Sequence, residues 1–456
     1  MIASTFSPAE AASAGAWPMA ARLIARWLDR RERIDTLLDT LPRSLTGAER
    51  ARCQYLVLGV VRHFGRIDSA LGRLVAHPPR FSTRAVLFIA GFELIELIHD
   101  SDADREGRAA KIVHHAVEQT KALASPSEAR LVNAVGRKLI APLAQPAPGA
   151  DASADDLAEY FSHPDWLVRS WLSQFGAEAT RSLLEWNQKP GPVYARWRAE
   201  GITPPKFLKP TVWPEVFEVE SGHWPSMEPL LKAGKVYLQD PSTRAPIELL
   251  APQPGESVID LCAAPGGKSL LIADTMKTGR LVAVDTPTSR IDRLKENLSR
   301  ITGVDVALVQ ADLLEDLGSA LREHRLPLNY DAVLLDVPCS NTGVMRHRVD
   351  VKWRLQAGDF KKHPKQQLSL LHAAARFVAP KGRLVYSTCS IDKEENEQVV
   401  RTFLAGKAGG PFELARSIQS LPWVTGHDGA GAFLLRRVGE PKPITERIAP
   451  VGREQR

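Results

Sequence analysis

From about residue 234 onward the chain alternates short apolar runs with helical stretches, and most of the runs end in a carboxylate or a thiol. Residues 257–260 precede a helical stretch from Gly267. Residues 281–285 precede 289–301, and 306–310 precede 313–324. Residues 332–336 lead through a long loop to 365–378, 383–388 open the next unit, and GAGAFLLRR near the C-terminus reads as the last strand. Strands alternating with helices predict a parallel, doubly wound sheet, which places ligands at the carboxyl ends of its strands.

The turn after the first of these strands reads LCAAPGGKS, residues 261–269. Its end imitates a phosphate-gripping P-loop, but that loop needs glycine five positions before the glycine of its Gly-Lys pair. Cys262 stands there, so a triphosphate cradle is disfavoured. Gly266 and Gly267 permit backbone N–H groups to approach a ligand closely. The next strand ends in Asp285, where a carboxylate takes ribose hydroxyls, and the third is followed by Asp312, placed to meet an adenine edge. Each acid alone reads as well as a helix cap. In this order they favour an adenosine-containing ligand, and the absence of GxGxxG weakens a nicotinamide dinucleotide.

Residues 17–143 read as successive helices (20–41, 47–71, 83–98, 109–123 and 127–140). The Ala-, Pro- and Asp-rich stretch after them marks a linker. The expected division is a helical domain 1–143, a linker 144–156, a small α+β bridging domain 157–233, a catalytic domain 234–437 and a tail 438–456. The start of the chain lacks the pattern of a secretory signal and reads as a frayed terminus. No run is long enough to span a bilayer. A cytoplasmic monomer is expected. The net charge of +6 is compatible with a polyanionic partner without demanding one. Arg62, Arg66 and Arg73 share a helical face and read equally as phosphate contacts or as a solvated face. Lys352, Trp353 and Arg354 read as stacking and charge for nucleic acid, or, for Trp353, as core.

The four cysteines, Cys53, Cys262, Cys339 and Cys389, are far apart in sequence, so neither a zinc site nor a disulfide framework is expected. Cys53 reads as structural and Cys262 as packing within its turn. Cys339 and Cys389 follow the fourth and fifth strands, YDAVLLDVPCSNTG and GRLVYSTCSIDKEENE, and should face one pocket with Asp336. Two thiols and an acid on one rim point to chemistry more than to packing.

DLCAAPGGKS, VAVD, QAD, LLDVPCSNTGVMR and LVYSTCSIDKEENE together resemble the RNA (cytosine-5) methyltransferases of the Sun family, over residues 234–437. GAERARCQYLVLGVVRH, AKIVHHAVEQTKAL and EARLVNAVGRKL resemble a NusB-like helical domain, and HPDWLVRSW also fits the bacterial, Fmu-type branch that acts on 16S rRNA. RHRVDVKW stands where an RRHPDIKW-type segment is more usual, and residues 201–235 are short and Pro-rich for that branch. The fold class implied is multidomain: an all-α NusB-like N-terminal domain, a small α+β bridging domain and an α/β Rossmann-like class I methyltransferase domain.

The resemblance implies S-adenosylmethionine as cofactor and RNA as substrate, ribosomal or, as the alternative, transfer RNA. It implies Cys389 as nucleophile, Cys339 in product release, Asp336 holding the base at N3, and Lys268 near Cys389. The cofactor would be held by Cys262, Ala263, Ala264, Pro265, Gly266, Gly267 and Lys268, with Asp285 at the ribose, Arg290 at the edge of the adenosine pocket, Asp312 at the adenine and Asp336 close to the donor. A non-catalytic RNA-binding assembly factor is the reading from another class. The thiols and the acid speak against it.

Overall fold

The computed structural model describes residues 15–100 and 104–439. The start, expected to be frayed, and nearly all of the expected tail lie outside them. The chain forms two compact units, one of residues 1–191 with 344–357, the other of 192–343 with 358–456. This differs from the expected division. The linker and the helices Ala154–Tyr160, Asp165–Phe175 and Ala177–Gln188 belong to the first unit. So does a stretch of fourteen residues taken from the middle of the expected catalytic domain.

The first unit is all helical among the described residues. Its centre is the helix Phe81–Ile98, whose buried residues run all round it, as expected of a helix packed on every side. Helices Ala16–Arg30, Gly47–Arg62, Arg105–Leu123 and Pro126–Leu143 surround it. Gly59 lets one of them approach closely, since a Cβ there would lie 2.2 Å from the Phe92 ring. Two expected helices are broken. The 20–41 stretch stops at Arg31, which is left-handed, and resumes at Ile34; the 47–71 stretch divides at His63. The second starts on a capping box between Thr46 and Glu49.

Residues 344–357 complete this unit. Trp353 donates from Nε1 to the carbonyl of Val61 (2.8 Å) and meets Phe64 edge-on. Asp350 takes the N–H of Ile34 and pairs with Arg354 at 2.8 Å. Lys352 is 1% exposed and donates to the carbonyl of Arg62 (2.9 Å). The phosphate-binding and solvated readings of the arginines are both corrected for two of them. Arg62 is buried and donates to the carbonyl of Arg346, while Arg66 is buried, donates to the carbonyl of Leu143 and lies over Tyr160. Arg73 is exposed and pairs with Glu159. Lys352 and Trp353 are likewise interior groups here, not stacking and charge for a ligand.

The second unit carries two sheets. The smaller joins β1 (Tyr194–Trp197), β2 (Leu208–Pro210), β3 (Val216–Val219) and β4 (Val236–Leu238) in the order β2-β3-β1-β4, antiparallel throughout. The larger has seven strands: β5 (Ser257–Leu261), β6 (Arg280–Asp285), β7 (Asp305–Gln310), β8 (Tyr330–Asp336), β9 (Val378–Thr388), β10 (Phe412–Ser420) and β11 (Ala430–Arg437). Their order is β10-β11-β9-β8-β5-β6-β7. The five strands from β9 to β7 are parallel, but β11 and β10 run antiparallel on one edge, so the expected purely parallel sheet is a mixed one.

Both faces of this sheet are covered, and its strands sort their side chains with period two. Ile259, Leu261, Val333, Leu335, Leu384 and Tyr386 enter one core, and Val258, Ala332, Leu334 and Val385 the other. Each fully buried Leu or Val contributes on the order of 1.5–3 kcal/mol, which fixes the register, because a one-residue slip would exchange the two sets. Among the described residues no helix is long and apolar enough to cross a membrane.

Burial pushes the Lys352 amine well below the ordinary lysine value, with Arg62 adding repulsion. The unfolded chain therefore binds a proton that the fold does not, and stability rises as pH climbs towards the ordinary lysine range. Lys352→Met removes this dependence. The difference in thermal midpoint, variant minus parent, should fall steadily from neutral pH to about pH 10. A difference that stays constant would mean the folded amine is charged.

Candidate active site

The turn between β5 and the helix Gly267–Met276 is built from unusual backbone. Cys262 has φ +63°, the Ala264–Pro265 peptide is cis, and Gly266 has φ +102°. A Cβ on Gly266 would come within 3.0 Å of Leu294, so only glycine combines that dihedral with that packing. Asp285, at the end of β6, accepts the N–H of Ala264 at 2.8 Å and so ties the turn to the neighbouring strand. Its carboxylate is no helix cap. Asn297 adds a second tie, donating to the carbonyl of Pro265 at 2.7 Å.

Cys262 packs partly buried against the sheet core, and burial, with Asp285 next, pushes its thiol far up. It is an inert thiol whose backbone shapes the turn. Asp312 accepts the N–H of Leu314 (2.8 Å) in a local turn, with no helix beginning there. Arg290 is exposed and precedes the helix Ile291–Leu298. Cys53 is buried in the helical unit, its thiol pushed up by burial to about 11.

On the same edge the structure brings four expected residues together. Lys268 Nζ lies 2.7 Å from Asp336 Oδ2, and Ser387 donates to Asp336 Oδ1, also at 2.7 Å. Burial works against the Lys268 charge, but Asp336 outweighs it, and the ammonium is raised above its ordinary value. The sulfurs of Cys339 and Cys389 are 3.1 Å apart. The hydrogen bond to Cys389, together with burial, holds the Cys339 thiol well above the usual cysteine range, so it is protonated at neutral pH.

Beneath the thiols lies a buried polar network that the sequence reading missed. Glu395, fully buried, accepts from the N–H of Ser340 (2.9 Å), from the Ser340 hydroxyl and from Gln367 Nε2 (2.9 Å), with His363 Nδ1 at 3.3 Å. Burial opposes its charge, yet these partners hold its carboxyl below the ordinary value, and it raises His363 in return. Asp392, also buried, accepts from Thr342 (2.5 Å) and Ser390 (3.2 Å). Each acid thus joins the loop after β8, which carries Cys339, to the loop after β9, which carries Cys389. The signal was present in SNTG and SIDKEENE, but their pairing requires the fold. Asp260 was also missed as a site group. Burial pushes it up to about 7, and Ser269 donates to its Oδ2 at 2.5 Å.

Two family models match the chain. The model of the family described as "16S rRNA methyltransferase RsmB/F" matches residues 247–416, and that of the NusB family matches 16–141. A "Ribosomal RNA small subunit methyltransferase B" of Sodalis glossinidius is 31% identical over 427 residues, covering 90% of this chain and 95% of the relative. The chain belongs to the RsmB/F family of 16S rRNA methyltransferases. The enzyme of the same description from Cronobacter sakazakii is 28% identical over 90% of this chain and 96% of its own length. The crystal structure of PH0851 shares the fold with a TM-score of 0.71 at 22% identity, covering 93% of this chain and 99% of that one. Within this methyltransferase family framework, the NusB-like helical domain and the Rossmann-like domain of the sequence reading are both present.

Glu395→Ala would leave the Ser340 N–H without its acceptor, while the Ser340 hydroxyl keeps Ser390 Oγ at 3.2 Å and the Gln367 amide keeps the Pro338 carbonyl at 3.1 Å. A buried donor left unmade costs about 1–3 kcal/mol, so the variant should lose about that much in urea unfolding. A loss below about 1 kcal/mol would mean that water replaces the carboxylate.

Proposed function

We propose that the chain methylates carbon 5 of a cytidine in 16S rRNA, using S-adenosylmethionine, through a covalent adduct on Cys389. The observation that carries this reading is the pair of thiols at 3.1 Å beside a Lys268–Asp336 pair, on the carboxyl edge of the sheet. The donor set around the glycine turn suits the cofactor. It combines a glycine-opened helix start with Asp285 and Asp312 after successive strands, and contains no P-loop glycine at position 262. Residues 262–268 would hold the methionine end, Asp285 the ribose and Asp312 the adenine, with Arg290 at the rim. Bound there, S-adenosylmethionine supplies an electrophilic methyl group.

Cytosine C5 is a weak nucleophile, so the chain's task is to activate it. Cys389 loses its proton to solvent and its sulfur bonds to C6. The electrons of the C5–C6 double bond move towards N3, which takes up a proton handed over by Asp336 and returns it when the double bond re-forms, and C5 becomes enamine-like. The Lys268 ammonium favours the attacking thiolate. After methylation the C5 proton leaves to solvent, the double bond re-forms and the C6–S bond breaks. The Cys339 thiol, donating to the departing sulfur, eases the return of negative charge to Cys389. The cytidine must be unpaired or splayed out to reach the thiol.

Labelled methyl donor with deproteinised 16S rRNA from cells lacking the enzyme should yield 5-methylcytidine on digestion. Cys389→Ala should abolish transfer while donor binding persists. Cys339→Ala should trap an RNA–protein adduct that survives a denaturing gel. An adduct with Cys389→Ala instead would reverse the two roles, and label in another nucleoside would overturn the reading.

A further inference from the structure

Asn341 lies between the two cysteines in space, and its backbone is left-handed (φ +63°), a conformation that asparagine adopts more readily than most residues. Its carboxamide closes a ring. Nδ2 donates to the carbonyl of Cys339 at 2.7 Å, and Cys389 Sγ donates to Oδ1 at 3.3 Å. The Cys339 carbonyl can only accept, which fixes which end of the amide faces the sulfur. A thiol has one proton. With that of Cys389 directed at Asn341, the 3.1 Å contact between the sulfurs is donated by Cys339.

We propose that Asn341 is a positioning residue that holds Cys389 as a neutral thiol against the Cys339 loop until a substrate base enters. This rests on the reading of Cys389 as nucleophile. A carboxamide oxygen accepts from S–H but offers only lone pairs to S⁻, so it favours the thiol. Amide oxygen is too weak a base to take the proton, which leaves to solvent. Cys339 and Lys268 act the other way, the first by donating to the sulfur and the second by its charge. The other charged groups nearby are Asp336, paired with Lys268, and Glu395, which bears on Cys339. Displacing Asn341 on base entry would couple activation to occupancy.

The test is iodoacetamide alkylation of the full-length protein across the neutral-to-alkaline range, with Cys389 followed by peptide mapping. Asn341→Gly keeps the left-handed backbone and removes the acceptor. Its alkylation midpoint should move to lower pH, with a rate at neutral pH roughly fivefold above the parent, the change an ordinary hydrogen bond carries. Asn341→Asp should move the midpoint to higher pH. A purely structural role would change rates at all pH values without moving the midpoint. That outcome, or a midpoint in Asn341→Gly that is unchanged or higher, overturns the proposal. Should the Asp variant fail to fold, the Gly variant decides alone. Alkylation needs no turnover, so a failed methylation assay and a failed alkylation test point to different errors.

Discussion

Two buried carboxylates hold the thiol-bearing edge of the sheet together. Glu395 and Asp392 follow β9, yet both accept hydrogen bonds from residues after β8, Ser340 in one case and Thr342 in the other. An unpaired buried charge is among the most costly features a fold can carry, so neither acid is tolerated unless the two loops meet. The same constraint sets the sulfurs of Cys339 and Cys389 side by side. Their proximity is a consequence of a satisfied polar network, because thiols alone attract each other weakly. Gly343 and Gly429 fit the same design, since a Cβ on Gly343 would lie 2.4 Å from the carbonyl of Gly429.

Behind this edge the sheet supplies rigidity. β5 and β8 are central, and their side chains fill both cores, so Asp260 and Asp336 are presented from strands that cannot shift register. Lys268 arrives from the first turn of the helix after the glycine turn and meets Asp336. Asp285 braces that turn from β6. The glycine turn and the thiol rim are thus separate constructions on one sheet edge, joined by the Lys268–Asp336 pair.

The strands that matter most were legible because each combines an apolar run with a terminal acid or a following thiol, and the sheet order then places those ends on one edge. β10 was not legible. FELARSIQS is largely exposed on the sheet's edge, and the bulge between Leu414 and Arg416 interrupts the period-two pattern of Phe412, Leu414 and Ile418. The helix breaks at Arg31 and His63 carry no proline or glycine at the break. Arg62 and Arg66 were misread for a general reason: basic residues at helical spacing look the same whether solvated or buried. Their acceptors are main-chain carbonyls of Arg346 and Leu143, which no side-chain pattern reveals. Segment 344–357 packs with the helical unit, and the sequence does not reveal this because its partners, Ile34, Val61 and Arg62, are about three hundred positions away.

The chain's course gives that segment a mechanical meaning. The loop after β8 carries Cys339 and Asn341, then ends at Gly343, and the next residue belongs to the helical unit. In that unit the segment is secured by buried groups, Lys352 on the Arg62 carbonyl and Trp353 on the Val61 carbonyl. One end of the cysteine loop is thus fixed by β8, and Glu395 and Asp392 grip its middle. A loop held at its start and at its centre has little freedom to move its backbone there. Under the proposed chemistry, adjustment to a base would fall to side chains, among them the carboxamide of Asn341, which bonds the Cys339 carbonyl and the Cys389 thiol.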